Sequence, residues 1–210
     1  IRMDGNFRRN LIVSTSISLL ILIVSSTASF LSIRSLLNSN AMVSHTQEVI
    51  YNINEATAVM VDAQAGMRGY LITGDDVFLK RHDNAEEDTG RYLNKLKSLT
   101  QDNPAQQSSL EEVNNLVESY YKYLKEKIDN KKRNIVADAE DLSIGKKTMD
   151  EIRSILKRME NSEQELLTER ASDSQRYGLY SSILIIAAAL IAMLISIIFF
   201  VRILKDYNER

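Results

Sequence analysis

Two stretches of the chain carry no charge at all. Residues 11–33 read LIVSTSISLLILIVSSTASFLSI and residues 180–201 read YSSILIIAAALIAMLISIIFFV. A helix rises about 1.5 Å per residue, so each stretch matches a hydrocarbon core roughly 30 Å thick. Both are therefore predicted transmembrane helices. Ser26 and Ala28 also have the small-x-small form of a signal-peptidase site. The apolar run, however, outlasts the usual signal core of about 7–15 residues. It continues through Phe30 and Leu31, which favours a retained span. The Ser and Thr residues within it can bond back to their own helix or face a neighbouring one.

Between the spans, apolar residues recur at alternating steps of three and four, the period of helices and not of strands. On the first helix the inward row is Val43, Ile50, Ile53, Thr57, Met60, Gln64, Met67 and Leu71. This helix is predicted to run unbroken from near Arg8 to Thr73, on the order of 100 Å. Gly74 is placed to end it, with Asp75 or Asp76 capping the next. The second helix is predicted to carry Phe78, His82, Ala85, Thr89, Tyr92, Leu96 and Leu99. Asn103 followed by Pro104 marks a third start. That helix turns Leu110, Val113, Val117, Tyr120, Leu124 and Ile128 inward. Lys131, Lys132 and Arg133 close it, where the helix dipole favours positive charge.

Residues 135–142 fit either a loop or a short helical turn, and Gly145 reads as punctuation after them. The last helix aligns Met149, Ile152, Leu156, Met159, Glu163, Leu166 and Arg170 and runs on into the second span. The predicted fold is all-α: a membrane protein with two transmembrane helices continuous with an extracytoplasmic up-down-up-down four-helix bundle. Its segments are a cytoplasmic N-terminus (1–10), a span (11–33), the bundle (34–179), a span (180–201) and the start of a cytoplasmic linker (202–210). Thr57, Gln64, Glu163 and Arg170 interrupt the apolar seam. A polar layer that fixes register is one reading; a layer tuned to switch between packings, or one lining a small cavity, is the other.

Composition sharpens this picture. One Pro, seven Gly and no Trp in 210 residues leave few helix breakers. The absence of Cys removes disulfides and thiolate metal sites. A net charge of -2 argues against nucleic acid as a partner. Residues 38–176 hold 19 basic against 25 acidic side chains, while the rest of the chain holds 7 against 3. Arg2, Arg8 and Arg9 precede the first span; Arg202, Lys205 and Arg210 follow the second. Basic flanks stay inside, so both termini are predicted cytoplasmic in a bacterial inner membrane, with the bundle periplasmic or extracellular. Arg34, Arg170 and Arg176 near the outer ends soften that contrast without reversing it.

The densest motif is DAQAGMRGYLITGD, residues 62–75, at the distal end of the first helix. Gly66 and Gly69 each cost a helix roughly 1 kcal/mol against Ala, which close approach of a neighbouring backbone would offset. Asp62 and Arg68 are six residues apart and do not share a face. The motif residues singled out are Asp62, Gln64, Gly66, Arg68, Gly69, Tyr70, Thr73, Gly74 and Asp75. This string resembles the signature of the third class of CHASE domains. So do Asp102-Asn103-Pro104, Gly145-Lys146, Met149-Asp150, Ile152-Arg153, and the late Glu163, Leu166 and Arg170. The resemblance runs from about 43 to 176. It implies a four-helix extracytoplasmic sensory module with a cytoplasmic output, most often a histidine kinase. Arg153, Glu163 and Arg170 form its polar series on the last helix. Gln64 stands where the family usually has Glu; a neutral amide forms a weaker hydrogen bond to Arg than a carboxylate does.

Catalytic chemistry is not apparent. The sequence has no Gly-rich phosphate loop, no Ser/His/Asp set and no Cys nucleophile, and its two His, His45 and His82, are predicted outside the membrane. Glu-x-x-His pairs for a di-iron bundle are missing. Acidic runs at 86–88 and 138–141 read as solvated faces rather than cation sites. Tyr120-Tyr121-Lys122-Tyr123 reads as packing for two of the Tyr rather than ligand contact. No cofactor and no metal are expected, and the ligand is unassigned. The chain is not expected to be an enzyme by itself. It is expected to be the sensor portion of a longer receptor, because residues 202–210 are too few to fold. The expected partners are the bilayer, a second copy in a homodimer, a cytoplasmic kinase domain and, through it, a response regulator. A cyclase, phosphodiesterase or chemoreceptor output, or a purely structural membrane-anchored bundle, are the rival readings.

Overall fold

The computed structural model describes residues 5–81, 83–135 and 139–208. Four α-helices hold most of these residues: α1 Gly5–Thr73, α2 Ala85–Leu99, α3 Pro104–Lys132 and α4 Ala139–Asn208. A 3-10 helix, Asp76–Arg81, lies between α1 and α2, and there is no strand among the described residues. The chain divides into two compact units, Ser44–Thr168 and the paired ends Ile1–Val43 with Glu169–Arg210.

The first unit is the four-helix bundle, and its cross-links fix the direction of each helix. Glu48, early in this part of α1, pairs at 2.9 Å with Lys95, late in α2. Tyr121, in the second half of α3, bonds Thr89 and the Ala85 carbonyl at the start of α2. Gln106, at the start of α3, reaches Met159 and Glu163 of α4. Each neighbour in sequence is therefore antiparallel, giving the up-down-up-down order. Between the helices lie Val49, Ile53, Met60, Leu96, Leu110, Leu124, Ile152 and Leu156, each almost fully buried. Burial of one such side chain contributes about 1.5–3 kcal/mol.

The helix ends follow local chemistry. Gly74 takes φ 72°, a left-handed geometry that only Gly adopts without strain, and stops α1. Asn103 caps α3 through its side-chain oxygen, which accepts from the Gln106 N–H at 3.2 Å, and Pro104 occupies the first helical position. The second helix departs from the sequence expectation. Phe78 belongs to the 3-10 helix, and α2 begins only at Ala85, because Asn84 is left-handed at φ 66° and cannot continue a helical ladder. His82 lies outside the described residues. Gly145 does not punctuate the chain: it is buried inside α4. Along α1 the buried row uses Val49 where the spacing pointed to Ile50.

The second unit consists of the remaining parts of α1 and α4. The Ser32 and Ser181 hydroxyls meet at 2.5 Å, Ser174 donates to Asn40 Oδ1 at 2.5 Å, and Arg170 donates to the Met42 carbonyl at 3.4 Å. Both α1 and α4 contain a stretch long and apolar enough to cross a membrane. Side chains such as Leu19, Leu20, Ile186 and Ile198 are more than half exposed. Such surfaces suit lipid and would be costly in water.

Candidate functional site

The 62–75 motif resolves into three jobs. Ala63, Met67 and Tyr70 turn into the bundle core, and Gly66 is buried beside them. Thr73, Gly74 and Asp75 build the turn. The Thr73 hydroxyl donates to the Gly69 carbonyl at 2.8 Å and accepts from the Asp75 N–H at 3.1 Å. Asp75 Oδ1 in turn accepts from the Val77 N–H at 2.9 Å. That turn folds Phe78 back over Gly69. A Cβ at Gly69 would lie 2.3 Å from the Phe78 ring. The glycine thus admits an aromatic side chain, not the neighbouring backbone that the sequence suggested. Asp62 and Arg68 are both exposed and form no ion pair with each other.

Gln64 and Arg68 belong to the third job, a cleft of about 330 Å³ in the bundle's turn-bearing end. Gln64, Met67, Arg68 and Leu71 supply one wall from α1, Tyr123 comes from α3, and Lys146 from α4. Tyr123 enters because Gly145 leaves room: a Cβ there would sit 2.2 Å from its ring. The ring stacks on Tyr120 with centroids 6.2 Å apart, and Lys127 Nζ lies 5.4 Å from its centre. Both contacts fix its position. Tyr120 is almost wholly buried, and its hydroxyl has no hydrogen-bond partner among the described residues. Burial pushes its pKa well up, while the positive charges of Arg68 and Arg153 pull the other way.

The polar series on α4 does not form one layer. Glu163 is buried and accepts from Gln106 Nε2 at 3.0 Å, and the same amide donates to the Met159 carbonyl at 3.3 Å. Arg153 stays near the surface, 3.9 Å from Asp150. Arg170 belongs to the other unit, where it contacts Met42. Thr57 satisfies itself by bonding back to the Ile53 carbonyl at 2.8 Å. Gln64 is buried without an Arg partner among the described residues.

A second, wider groove of about 660 Å³ lies beside the start of α2 and the end of α3. Its lining mixes Asp83, Glu86, Glu87 and Asp129 with Lys125 and Lys132. Among the described residues, no group of three or more His, Asp or Glu is arranged to share a metal ion. The side chains of 138–141 lie outside the described set.

Sequence spacing exposed the α1 wall of the cleft as a motif. It missed Tyr123 and Lys146 as members of the same site. The available signal is the Gly145-Lys146 pair within the family resemblance, whose glycine makes room for Tyr123 rather than breaking a helix.

The described residues thus form a four-helix bundle whose first and last helices each carry an apolar stretch long enough to cross a membrane. The chain belongs to the CHASE3 domain family, whose model matches residues 39–173. CHASE3 domains are extracellular sensory domains of signal-transduction receptors. No curated protein and no solved structure matches the chain.

Proposed function

We propose that this chain is the sensor and membrane portion of a bacterial two-component sensor histidine kinase. The bundle lies outside the inner membrane and both termini lie in the cytoplasm. The receptor works as a homodimer, passes its signal to a kinase domain beyond Arg210, and from there to a response regulator. The observation that carries the reading is the CHASE3 match over residues 39–173, set on helices that extend without interruption into apolar stretches. The basic flanks support the orientation. In this reading the chain holds no catalytic group; it biases an equilibrium between two helix arrangements, which a few kcal/mol suffices to reverse.

The test is phosphotransfer by the parent receptor reconstituted in lipid vesicles. Incubation with labelled ATP should leave acid-labile, alkali-stable phosphate on a histidine, transferable to a response-regulator aspartate. Nucleotide cyclisation or phosphodiester hydrolysis in place of that label would assign the sensor to another output. The absence of any signalling domain in the parent would leave a structural bundle.

A further inference from the structure

We infer that the α1–α3–α4 cleft binds a small carboxylate with an apolar body. The inference rests on the sensory reading above and supplies its ligand class. Three observations converge. The volume, about 330 Å³, is at the lower end of small-molecule sites. Met67, Leu71 and Tyr123 give it an apolar side, and the Tyr123 ring is held in place by Tyr120 and Lys127. Every charged side chain lining it is basic: Arg68 and Lys146. That positive pair stands in a segment, 38–176, that is acidic as a whole.

The polar groups match a carboxylate in kind as well as sign. Arg68 has no ion pair among the described residues, so its forked donors are free for a two-point contact. Gln64 is 8% exposed and its amide makes no hydrogen bond among the described residues, leaving a donor beside the guanidinium. Lys146 meets Asp150 only at 3.6 Å, with both side chains largely in water, an arrangement readily exchanged. One Arg, one amide and one solvated Lys suit a monoanion with two oxygens. Asp150 offsets part of the Lys146 charge, which favours a monoanion over a phosphate dianion. The amide at position 64 also has a role here: a carboxylate in its place would repel the ligand.

The experiment is calorimetric titration of the full 210-residue chain in lipid nanodiscs with phenylacetate, benzoate and hexanoate. Phenylacetamide serves as the uncharged counterpart and phenyl phosphate as the dianion. At least one carboxylate is expected to bind saturably, with phenylacetamide at least about tenfold weaker than phenylacetate. Arg68→Gln is expected to weaken binding at least about tenfold with an unchanged circular dichroism spectrum, since Arg68 is exposed. Gln64→Glu should also weaken it, and Lys122→Gln, outside the cleft, should not. Equal binding of phenylacetate and phenylacetamide, preference for phenyl phosphate, or no binding by any carboxylate up to about 10 mM would overturn the proposal. Unaltered binding by Arg68→Gln would do the same. Binding is read on this chain without any output, so the two readings fail separately. Carboxylate binding without a change in receptor phosphorylation supports the cleft and removes the signalling reading. A signal-responsive kinase whose sensor ignores all three carboxylates overturns the cleft alone.

Discussion

At the scale of single residues, glycines separate packing from propensity. Gly90 and Gly145 both sit inside helices, where Ala is favoured by about 0.8–1 kcal/mol. A Cβ at Gly90 would meet nothing within 4 Å, whereas one at Gly145 would strike the Tyr123 ring. Gly90→Ala should therefore raise the bundle's stability by roughly 0.5–1 kcal/mol. Gly145→Ala must push the ring off Tyr120 and Lys127, contacts worth about 0.5–1.5 and 0.5–1 kcal/mol. It should lower stability by about 1 kcal/mol, an effect largely absent when Tyr123→Ala is already present. Urea unfolding of the four variants measures both signs; a stabilising Gly145→Ala would contradict the packing. Tyr121 gives a pH dependence. Burial pushes its pKa up to about 12, the Thr89 hydrogen bond lowers it, and Glu86 and Asp88 raise it further. The unfolded value lies near 10. The stability from its buried neutral hydroxyl is complete below that pH and is lost as pH rises from about 10 to 12. Thermal melts across that window should show the loss, accompanied by tyrosinate absorbance, and Tyr121→Phe should reduce it.

At the scale of elements, α3 and α4 are tied by one buried amide–carboxylate contact. Gln106→Ala would leave Glu163 buried without the Nε2 donor. The expected cost is about 1–3 kcal/mol by chemical denaturation. The exposed Gln164→Ala should cost less than about 0.5 kcal/mol. Equal effects would mean that the contact does not hold the helices together. This tie also marks what the sequence could reveal. The seam residues of α3 and most of those on α4 were legible because each is set by a period within one helix. Glu163 stood out as an acid on an apolar row, but its partner Gln106 lies 57 positions earlier and carries no local mark. The start of α2 was misplaced because Phe78 kept the helical spacing across a left-handed Asn84 that no periodicity registers. Gly145 sits within α4 instead of ending a segment for a related reason. A glycine is a breaker only if nothing needs its space, and Tyr123 comes from a different helix. The candidate cleft was half visible: its α1 wall is a contiguous motif, while its other two walls exist only after folding.

At the scale of the whole molecule, the continuity of α4 carries the argument. A single helix, Ala139–Asn208, holds core residues such as Ile152 and Met159 as well as the apolar stretch after 180. Its backbone hydrogen bonds make it stiff along its axis, and under the sensor proposal a displacement at one end is carried along it. Proline removes one of those bonds and clashes with the preceding turn, which kinks a helix at a cost of roughly 3 kcal/mol. Arg176 is exposed and lies outside the hydrophobic core, so a break there should spare the packing of residues 49–159. Under the sensor proposal, Arg176→Pro in the full receptor should leave the urea midpoint of the bundle and carboxylate binding unchanged. Kinase output should become insensitive to ligand, locked at one level. Arg176→Ala keeps the helix and should respond as the parent does. A proline variant with the parent's full response would mean that the signal does not travel along α4.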